Sequence, residues 1–514
     1  MNKKTSDATQ KKIVSLDDII KLTAQRQKKG HKVVLSYGAF DLIHPGHIHH
    51  LKTAKEMGNC LIVVIDSDRL LNRGPGRPVF NERLRSLSLA ALAFVDYVAV
   101  NLNYSGVELI QIIKPNLYVK GEEHFRREDP ATDELYEEEQ SIQAIGGHMA
   151  YTGDVVFSSS HLLNSYFPVF TEEAGQFLNE FRKNHTYNEL IEKLSEAKEL
   201  KVLVIGDTII DEYHYAEALG KSSKASCVVA KYLWEEAYAG GILNIANHIA
   251  GFCNQVHLIT CLGEQNSKKK FIEDNLKSNI THDFFFRADA PTLIKRRYVH
   301  PFQVSKMFEV CYMNDQDISV QLSAEIEKHL EKIIPNFDLV VIADFGHGFI
   351  TDTMAQTISK YARYVAVNVQ ANSANLGFNV VTKYPRVDYL CIDEKEVRLA
   401  QHDKHGNLQT LILKTMEQLH ASISSITLGG EGAVVNVSGR EPCKVPIFSQ
   451  SVVDTVGAGD AFLSITSLCA NMGLPEDMIG LIGNAIGAMA VKIVGNKESI
   501  DANQLFKYLK TLLK

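Results

Sequence analysis

Apolar residues fall into short uninterrupted runs separated by segments of helical period, and the two patterns alternate along the chain. Spacing at i, i+3 and i+4 predicts a helix over Leu16 to Arg26, and the run Lys32 to Tyr37 reads as a buried strand. That strand leads into Gly38-Ala39-Phe40-Asp41-Leu42-Ile43-His44-Pro45-Gly46-His47, where Pro45 suits the first turn of a helix running through Ile48 to Met57 and closing at Gly58. Residues 172–201 are dense in charge, with Phe177, Phe181, Leu190, Ile191 and Leu194 at helical spacing. They read equally as a helical connector docking on one or both neighbours or as a linker with little role of its own. A strand begins afresh at Val202 to Ile205, and strand-like runs recur at Val256 to Thr260, Leu339 to Ala343, Tyr364 to Val369, Tyr389 to Ile392 and Ile426 to Val437. Helical patterns lie between several of them, which predicts an α/β fold with parallel central strands under covering helices. The divisions expected are a tail and helix (1–30), a first domain (31–170), a connector (171–200) and a second domain (201–514).

Composition narrows the class. A length of 514 residues, 45% hydrophobic content and a net charge of −7 describe a soluble globular chain of several domains and exclude a binder of polyanionic nucleic acid. The basic run Lys268 to Lys270 reads as a solvated helix face. Cysteines at 60, 227, 253, 261, 311, 391, 443 and 469 show no CxxC pair or metal-ligand spacing, so they read as small buried residues in a reducing compartment. The first twelve residues lack the apolar core of a signal peptide, and the apolar stretch Ile479 to Val494 is broken by glycines, Asn484 and Lys492. No membrane partner is expected, and the location expected is cytoplasmic.

Three constellations carry chemistry. In Asp454-Thr-Val-Gly-Ala-Gly-Asp-Ala-Phe462, Gly457, Ala458 and Gly459 precede an apolar run, so their backbone N–H groups sit at a helix N-terminus that suits a phosphate. Asp460 stands beside that anion hole, placed to take a proton from an attacking alcohol; the plainer reading is a helix start in which Gly and Asp merely cap. In the second, Gly46 lets a phosphate approach the backbone while His44 and His47 point at it from one turn. Zinc would need further ligands, and the helix turns His49 and His50 elsewhere. In the third, Asp207 and Asp211 follow a strand end where α/β sheets bind ligands, although either could simply cap. Gly240-Gly241 and Asn244, opening an Ala-rich helix, add close backbone approach and an amide.

The stretch Asp454 to Phe462 closely resembles the signature of the ribokinase-like (PfkB) sugar kinases. The resemblance implies a ribokinase-like α/β domain with a small β lid, Asp460 as catalytic base, and Gly457, Ala458 and Gly459 as anion hole. It implies sugar contacts from Asp207, Asp211, Gly240, Gly241 and Asn244. Thr427 to Ala433 resembles the family's ATP loop, which implies nucleotide contacts at Gly430 and Gly432, and Asp393-Glu394-Lys395-Glu396 stands where the family has Asn-x-x-Glu, which implies that Glu396 helps organise Mg2+. Lid strands pair in dimers of this family, so a homodimer through Cys227 to Trp234 is expected, with a monomeric lid as the alternative. One departure stands out: heptose-phosphate kinases have an Asp-Pro-Lys turn where this chain has Asn368-Val369-Gln370, which points to another acceptor or to a weak or inactive kinase.

The segment around His44 and His47 resembles the cytidylyltransferase-like branch of the HxGH nucleotidyltransferases, through GxFDxxHxGH and through the succession of elements beyond that motif. The corresponding features are strand Cys60 to Asp66, the loop Arg73 to Val79, Arg85 on the next helix, strands Val95 to Val100 and Leu117 to Lys120, and Phe157-Ser158-Ser159-Ser160. The resemblance implies a Rossmann-like domain in which His44 and His47 act on the α-phosphate while Phe40, Asp41, Arg85, Lys120, Ser158 and Ser159 surround the nucleotide. A sugar phosphate attacks with an oxygen already ionised, so such a site needs cations, donors and Mg2+ but no general base. Together the halves resemble the bifunctional enzymes of ADP-heptose synthesis in exchanged order. That implies phosphorylation of a sugar or polyol by ATP and activation of a sugar phosphate with ATP or CTP for cell-envelope glycans. A CDP-polyol pathway, or a kinase half that senses sugar or dimerises without turnover, are the alternatives.

Overall fold

The structure is a computed structural model that describes residues 9–71, 78–121, 134–152, 170–301, 305–373, 375–449 and 452–513. The chain divides into two compact units, Met1–Val169 and Phe170–Leu513.

The first unit runs α1 (Leu16–Lys28), β1 (Val33–Gly38), α2 (Pro45–Glu56), β2 (Cys60–Asp66), α3 (Glu82–Ala90), β3 (Tyr97–Asn101), α4 (Gly106–Ile113), β4 (Leu117–Gly121), α5 (Glu134–Ala144) and β5 (His148–Thr152). Its five strands are all parallel, in the order β3-β2-β1-β4-β5. Both faces are covered, which is why the strands read as continuous apolar runs rather than alternating ones. Val34, Leu61, Val63 and Ile65 pack on one side, and Val33, Leu35, Ile62 and Val64 on the other. Strand order reverses between β1 and β4, and open parallel sheets bind ligands beyond the strand ends at such a switch point. The histidine motif follows β1 and Lys120 lies at the end of β4, so the two meet there.

The second unit begins with α6 (Glu172–Asn184) and α7 (Tyr187–Ser195). Ala174, Leu178, Phe181, Leu190 and Leu194 are buried in this unit's main core, so the charged segment is a structural part of it. The chain continues through β6 (Lys201–Gly206), β7 (Thr208–Lys221), β8 (Val228–Gly241), α8 (Ile242–Ile249), β9 (Gln255–Gln265), α9 (Lys269–Asn275), β10 (Ile280–Pro291), β11 (Ile294–Val299) and β12 (Lys306–Tyr312). Then follow α10 (Val320–Ile333), β13 (Leu339–Asp344), α11 (Asp352–Tyr361), β14 (Val365–Val369), β15 (Tyr389–Asp393), α12 (Glu394–Ala400), α13 (Leu408–Gln418), β16 (Ile423–Thr427), β17 (Ala433–Val437), β18 (Cys443–Val445), α14 (Ala458–Asn471), α15 (Glu476–Ala490) and α16 (Ala502–Leu512).

A nine-stranded sheet in the order β10-β9-β6-β13-β14-β15-β16-β17-β18 is parallel from β10 to β16 and antiparallel across its last two pairs. Its switch point lies between β6 and β13. A separate four-stranded sheet, β12-β11-β7-β8, grows out of β6 through Asp207 and forms the lid. The run Ile426 to Val437 is two strands rather than one, because the chain reverses through Leu428 to Gly432, where Leu428 N–H bonds to the Gly432 carbonyl at 2.8 Å. Helix α15 is apolar almost all round because it is buried almost all round. Among the described residues no helix is long and apolar enough to cross a membrane.

Candidate active sites

In the first unit the turn after β1 is held by its own side chains. Phe40 adopts a left-handed backbone (φ 46°) that turns the chain sharply before α2. His44 is the N-cap of α2, its Nδ1 accepting from Gly46 N–H at 3.2 Å, with Pro45 in the first turn. One turn on, His47 stacks against His44 with ring centroids 3.9 Å apart, and Phe40 lies 5.2 Å from His47. Burial pushes both imidazoles below their ordinary value, His47 to about 3, with repulsion from His44 and His50 adding to it. The pair is therefore neutral near pH 7, and His47 Nδ1 is buried without a hydrogen-bond partner among the described residues. Neutral imidazoles can each offer one N–H to an oxygen that gains charge.

The other predicted residues divide. Asp41 Oδ1 accepts from the N–H groups of Val79 and Phe80 at 2.7 and 3.2 Å, latching the loop before α3. Arg85 is wholly buried, and its donors go to the carbonyls of Phe80, Ala39 and Asp66 and to the Asp68 carboxylate at 2.7–2.9 Å. Its charge is thus committed to protein acceptors, so it clamps the loops around the site. Lys120 pairs with Glu138 at 3.0 Å while lying over the rings of Tyr37 and Tyr118. His50 hydrogen-bonds Ser36 and Thr152, tying α2 to β1 and β5. Ser158 and Ser159, and the loop containing Arg73, lie outside the described residues.

In the second unit, Gly457 caps α14 in a left-handed conformation (φ 82°) with no side-chain cap, so the first N–H groups of the helix are not taken by a capping side chain. A Cβ on Gly457 would lie 2.0 Å from Asn496 Oδ1, so only glycine fits. Asp460 sits in the first turn, 8% exposed, accepting from the Asn244 amide and, at 3.5 Å, from Gln370 Nε2. Burial first, and then repulsion from Asp211, pushes its carboxyl up to about 7.

Asp211 is ion-paired with Arg297 and accepts from Asn496 Nδ2 at 2.7 Å, and the Asn496 oxygen accepts from Asn244 at 3.0 Å. Gly240 leaves room for this, since a Cβ there would lie 2.1 Å from Asp211 Oδ2. Asp211, Gly240, Asn244, Gly457 and Asp460 are thus drawn together around Asn496. Gly241 opens α8 as its N-cap. Asp207 instead faces the β13 end, accepting from Phe345 N–H at 2.9 Å and from the His347 N–H; burial and Asp344 push it up to about 7. Glu396 closes a capping box with Asp393 and accepts from Ala371 N–H at 3.3 Å. Gly430 and Gly432 lie in the turn between β16 and β17.

Family models match both halves: cytidylyltransferase-like over residues 35–164 and pfkB family carbohydrate kinase over residues 199–503. The second covers more than half of the chain. The chain belongs to the pfkB family of carbohydrate kinases. Bifunctional protein HldE of Campylobacter jejuni is 26% identical over 311 residues, covering 60% of this chain and 64% of that protein. Bifunctional protein HldE of Wolinella succinogenes is 38% identical over 141 residues, 27% of this chain and 30% of that one. The match thus spans less than two thirds of the length of either relative. A putative ribokinase from Agrobacterium tumefaciens covers 61% of this chain with 98% of its own at a TM-score of 0.49 and 13% identity.

Within the pfkB unit, several contributors escaped sequence reasoning. Asn496 follows Gly495 in a turn after α15, a weak signal on its own. Arg297 and Lys306 lie on β11 and β12, strands whose basic residues hide their pattern. Lys306 bonds Asp454 at 2.7 Å, which also accepts from Tyr213 at 2.6 Å and from Gly495 N–H at 2.9 Å. The Asp that opens the signature therefore ties the lid to the turn before α14. Although burial alone would raise it, the bonds from Lys306 and Tyr213 hold Asp454 below the usual carboxylate range.

Proposed function

We propose that the chain is a bifunctional enzyme: its pfkB unit phosphorylates a sugar with ATP, and its cytidylyltransferase-like unit joins a sugar phosphate to a nucleoside triphosphate with release of pyrophosphate. The product would be a nucleotide-activated sugar for cell-envelope glycans. The observation that carries the kinase half is Asp460, a buried carboxyl tuned to about 7 beside a helix N-terminus without a capping side chain. A general base works best when its pKa lies near the working pH. Asp460 takes the proton of the acceptor hydroxyl, the amides of Gly457 to Gly459 hold charge on the transferred phosphoryl group, and Asp211 with Asn244 orients the sugar. Gln370 reaches Asp460 from the altered turn after β14, so that departure supplies a hydrogen bond to the base itself.

In the other half, His44 and His47 donate to the α-phosphate, Lys120 contributes charge, and Arg85 holds the loops in register. No carboxylate base is required there, because a phosphate nucleophile is already ionised. Magnesium fits the kinase half. Among the described residues no group of three or more His, Cys, Asp and Glu side chains forms a dedicated cage, and a nucleotide-bound Mg2+ takes one or two carboxylates together with phosphates and water. Glu396, assisted by Asp393, is the carboxylate that would serve; the ion supplies charge neutralisation on the phosphates.

Two relatives named as bifunctional proteins favour turnover at both sites over a silent kinase half. The lid supports a homodimer: Val228, Val229, Tyr232 and Trp234 on β8 are 42–68% exposed, an apolar face that water disfavours. Eight free cysteines favour a reducing, cytoplasmic location.

The test follows ADP release and pyrophosphate release from the purified full chain with a panel of sugars, sugar phosphates and nucleoside triphosphates. Asp460→Asn should abolish the first and spare the second. Equal loss of both would overturn the assignment of two sites.

A further inference from the structure

A recess open to solvent lies beside Asp207 at the ends of β6 and β9, lined among others by Thr208, Arg287, Asn314 and His347. His347 is its unexplained member. The side chain is 7% exposed, and neither ring nitrogen has a hydrogen-bond partner among the described residues. Leaving an imidazole buried with both nitrogens unmatched is costly, so it calls for a ligand.

The loop that presents His347 is held firmly. Asn372 Nδ2 bonds the Phe345 carbonyl and Asn375 Nδ2 the Gly346 carbonyl, both at 2.8 Å, while the N–H groups of Phe345 and His347 bind Asp207. The recess also communicates with the reaction centre. Lys295 and Arg297 lie two residues apart on β11, hence on one face of the lid, and Arg297 meets Asp211. Thr208 of the recess begins β7, in register with Gly241 of β8, and Asp211 lies three residues further along the same strand, in register with Lys295 of β11, so recess and reaction centre adjoin along the base of the lid.

We propose that this recess holds the end of the acceptor remote from the transferred phosphoryl group, and that it is built for a neutral, hydroxyl-bearing end rather than for a phosphate. The proposal rests on the kinase reading above and names the class of acceptor for it. The charge of Arg287 is matched by Asp289, through Nε at 2.9 Å and Nη2 at 2.8 Å. Asp207 adds a carboxyl, and His347 stays neutral because burial pushes it down to about 3. A neutral imidazole has one donor and one acceptor, and a carboxylate only accepts. Hydroxyls, which donate and accept, satisfy both nitrogens of His347, whereas a phosphate only accepts, leaves the acceptor nitrogen unmatched and meets an Arg287 whose charge Asp289 already balances.

The experiment measures ADP release and, separately, calorimetric binding on the full chain. The probes are matched pairs: fructose and its 6-phosphate, mannose and its 6-phosphate, sedoheptulose and its 7-phosphate. Within the pair that is bound or turned over, the unphosphorylated sugar should have the lower KM or Kd by about tenfold or more, the discrimination expected when buried polar groups are matched in one ligand and not in the other. His347→Ala should erase that preference through KM, leaving the KM for ATP unchanged, and His347→Gln, which keeps a donor and an acceptor, should restore it; thermal midpoints check that both fold. His347→Lys should shift preference toward the phosphorylated partner. Preference for the phosphate in the wild-type chain, an unchanged ratio in His347→Ala, or no binding of any pair would overturn the proposal. Binding of the neutral sugar without ADP release would uphold the recess and remove the phosphotransfer reading instead.

Discussion

The two ligand clefts of this chain occupy the same kind of place and are equipped in opposite ways. Each lies beyond the strand ends of a parallel sheet, those of β1 and β4 in one unit and that of β14, which delivers Gln370, in the other. The first presents a stacked pair of neutral imidazoles and Lys120, with Asp41 occupied by backbone N–H groups and Glu138 by Lys120. The second centres on a buried carboxyl, Asp460, held near neutrality and hydrogen-bonded by two amides. Fold decides where a ligand can lie; side chains decide whether the site can remove a proton. A phosphate nucleophile needs no such removal and a sugar hydroxyl does.

The largest test of this contrast is Asp460→Asn, expected to lower ADP release by about 10²–10⁴-fold, the span of a general base, with pyrophosphate release unchanged. Next is His47→Ala, expected to lower pyrophosphate release by about 10²–10³-fold, as for loss of one donor to a developing oxyanion, with ADP release unchanged. Crossed effects in either variant would break the comparison.

The pH profiles should then separate the sites. Asp460 must be ionised to act, so ADP release should fall about tenfold per unit below pH 7 and level off above it. His47, near 3, stays uncharged across this range and burial pushes His44 down as well, so pyrophosphate release should change little between about pH 8 and 7, where ADP release is also at its plateau, and less than ADP release below it. Stability runs the other way for Asp460. Its carboxyl is raised on folding, so its stabilising contribution is present below the unfolded value near 3.8 and lost as pH rises through about 7. Asp460→Asn should therefore raise the thermal midpoint at pH 8 while removing activity. The smallest effect is Asn496→Ala, which leaves Asp211 and Asn244 each short of a bond and should raise the sugar KM by about tenfold, with the ATP KM unchanged.

Both motifs were legible because each is local. His44 to His47 and Gly457 to Asp460 lie within single turns, so spacing alone brings the groups together. The central strands of both sheets were legible for a related reason: burial on two faces leaves uninterrupted apolar runs. The lid strands β11 and β12 were not, since Lys295, Arg296 and Arg297 fill one with charge and exposed side chains dominate the other. Arg85 illustrates a different limit. The resemblance implied a place beside the nucleotide, and only the fold shows that acceptors on three segments, at Ala39, at Asp66 and Asp68, and at Phe80, surround it.

The sequence by itself determined the α/β class, the two chemical motifs and their order along the chain, because hydrophobic period and one-turn spacing are properties of neighbouring residues. Tertiary structure alone decided that Asn496 reaches back 285 residues to Asp211 and 252 to Asn244, that Arg297 neutralises Asp211, and that residues 172–195 belong to the second core. It also decided that Asp207 turns toward His347 rather than toward Asn496. These depend on which strand ends the sheet order places side by side, and on how far each carboxyl is withdrawn from water, and neither is written in any local pattern.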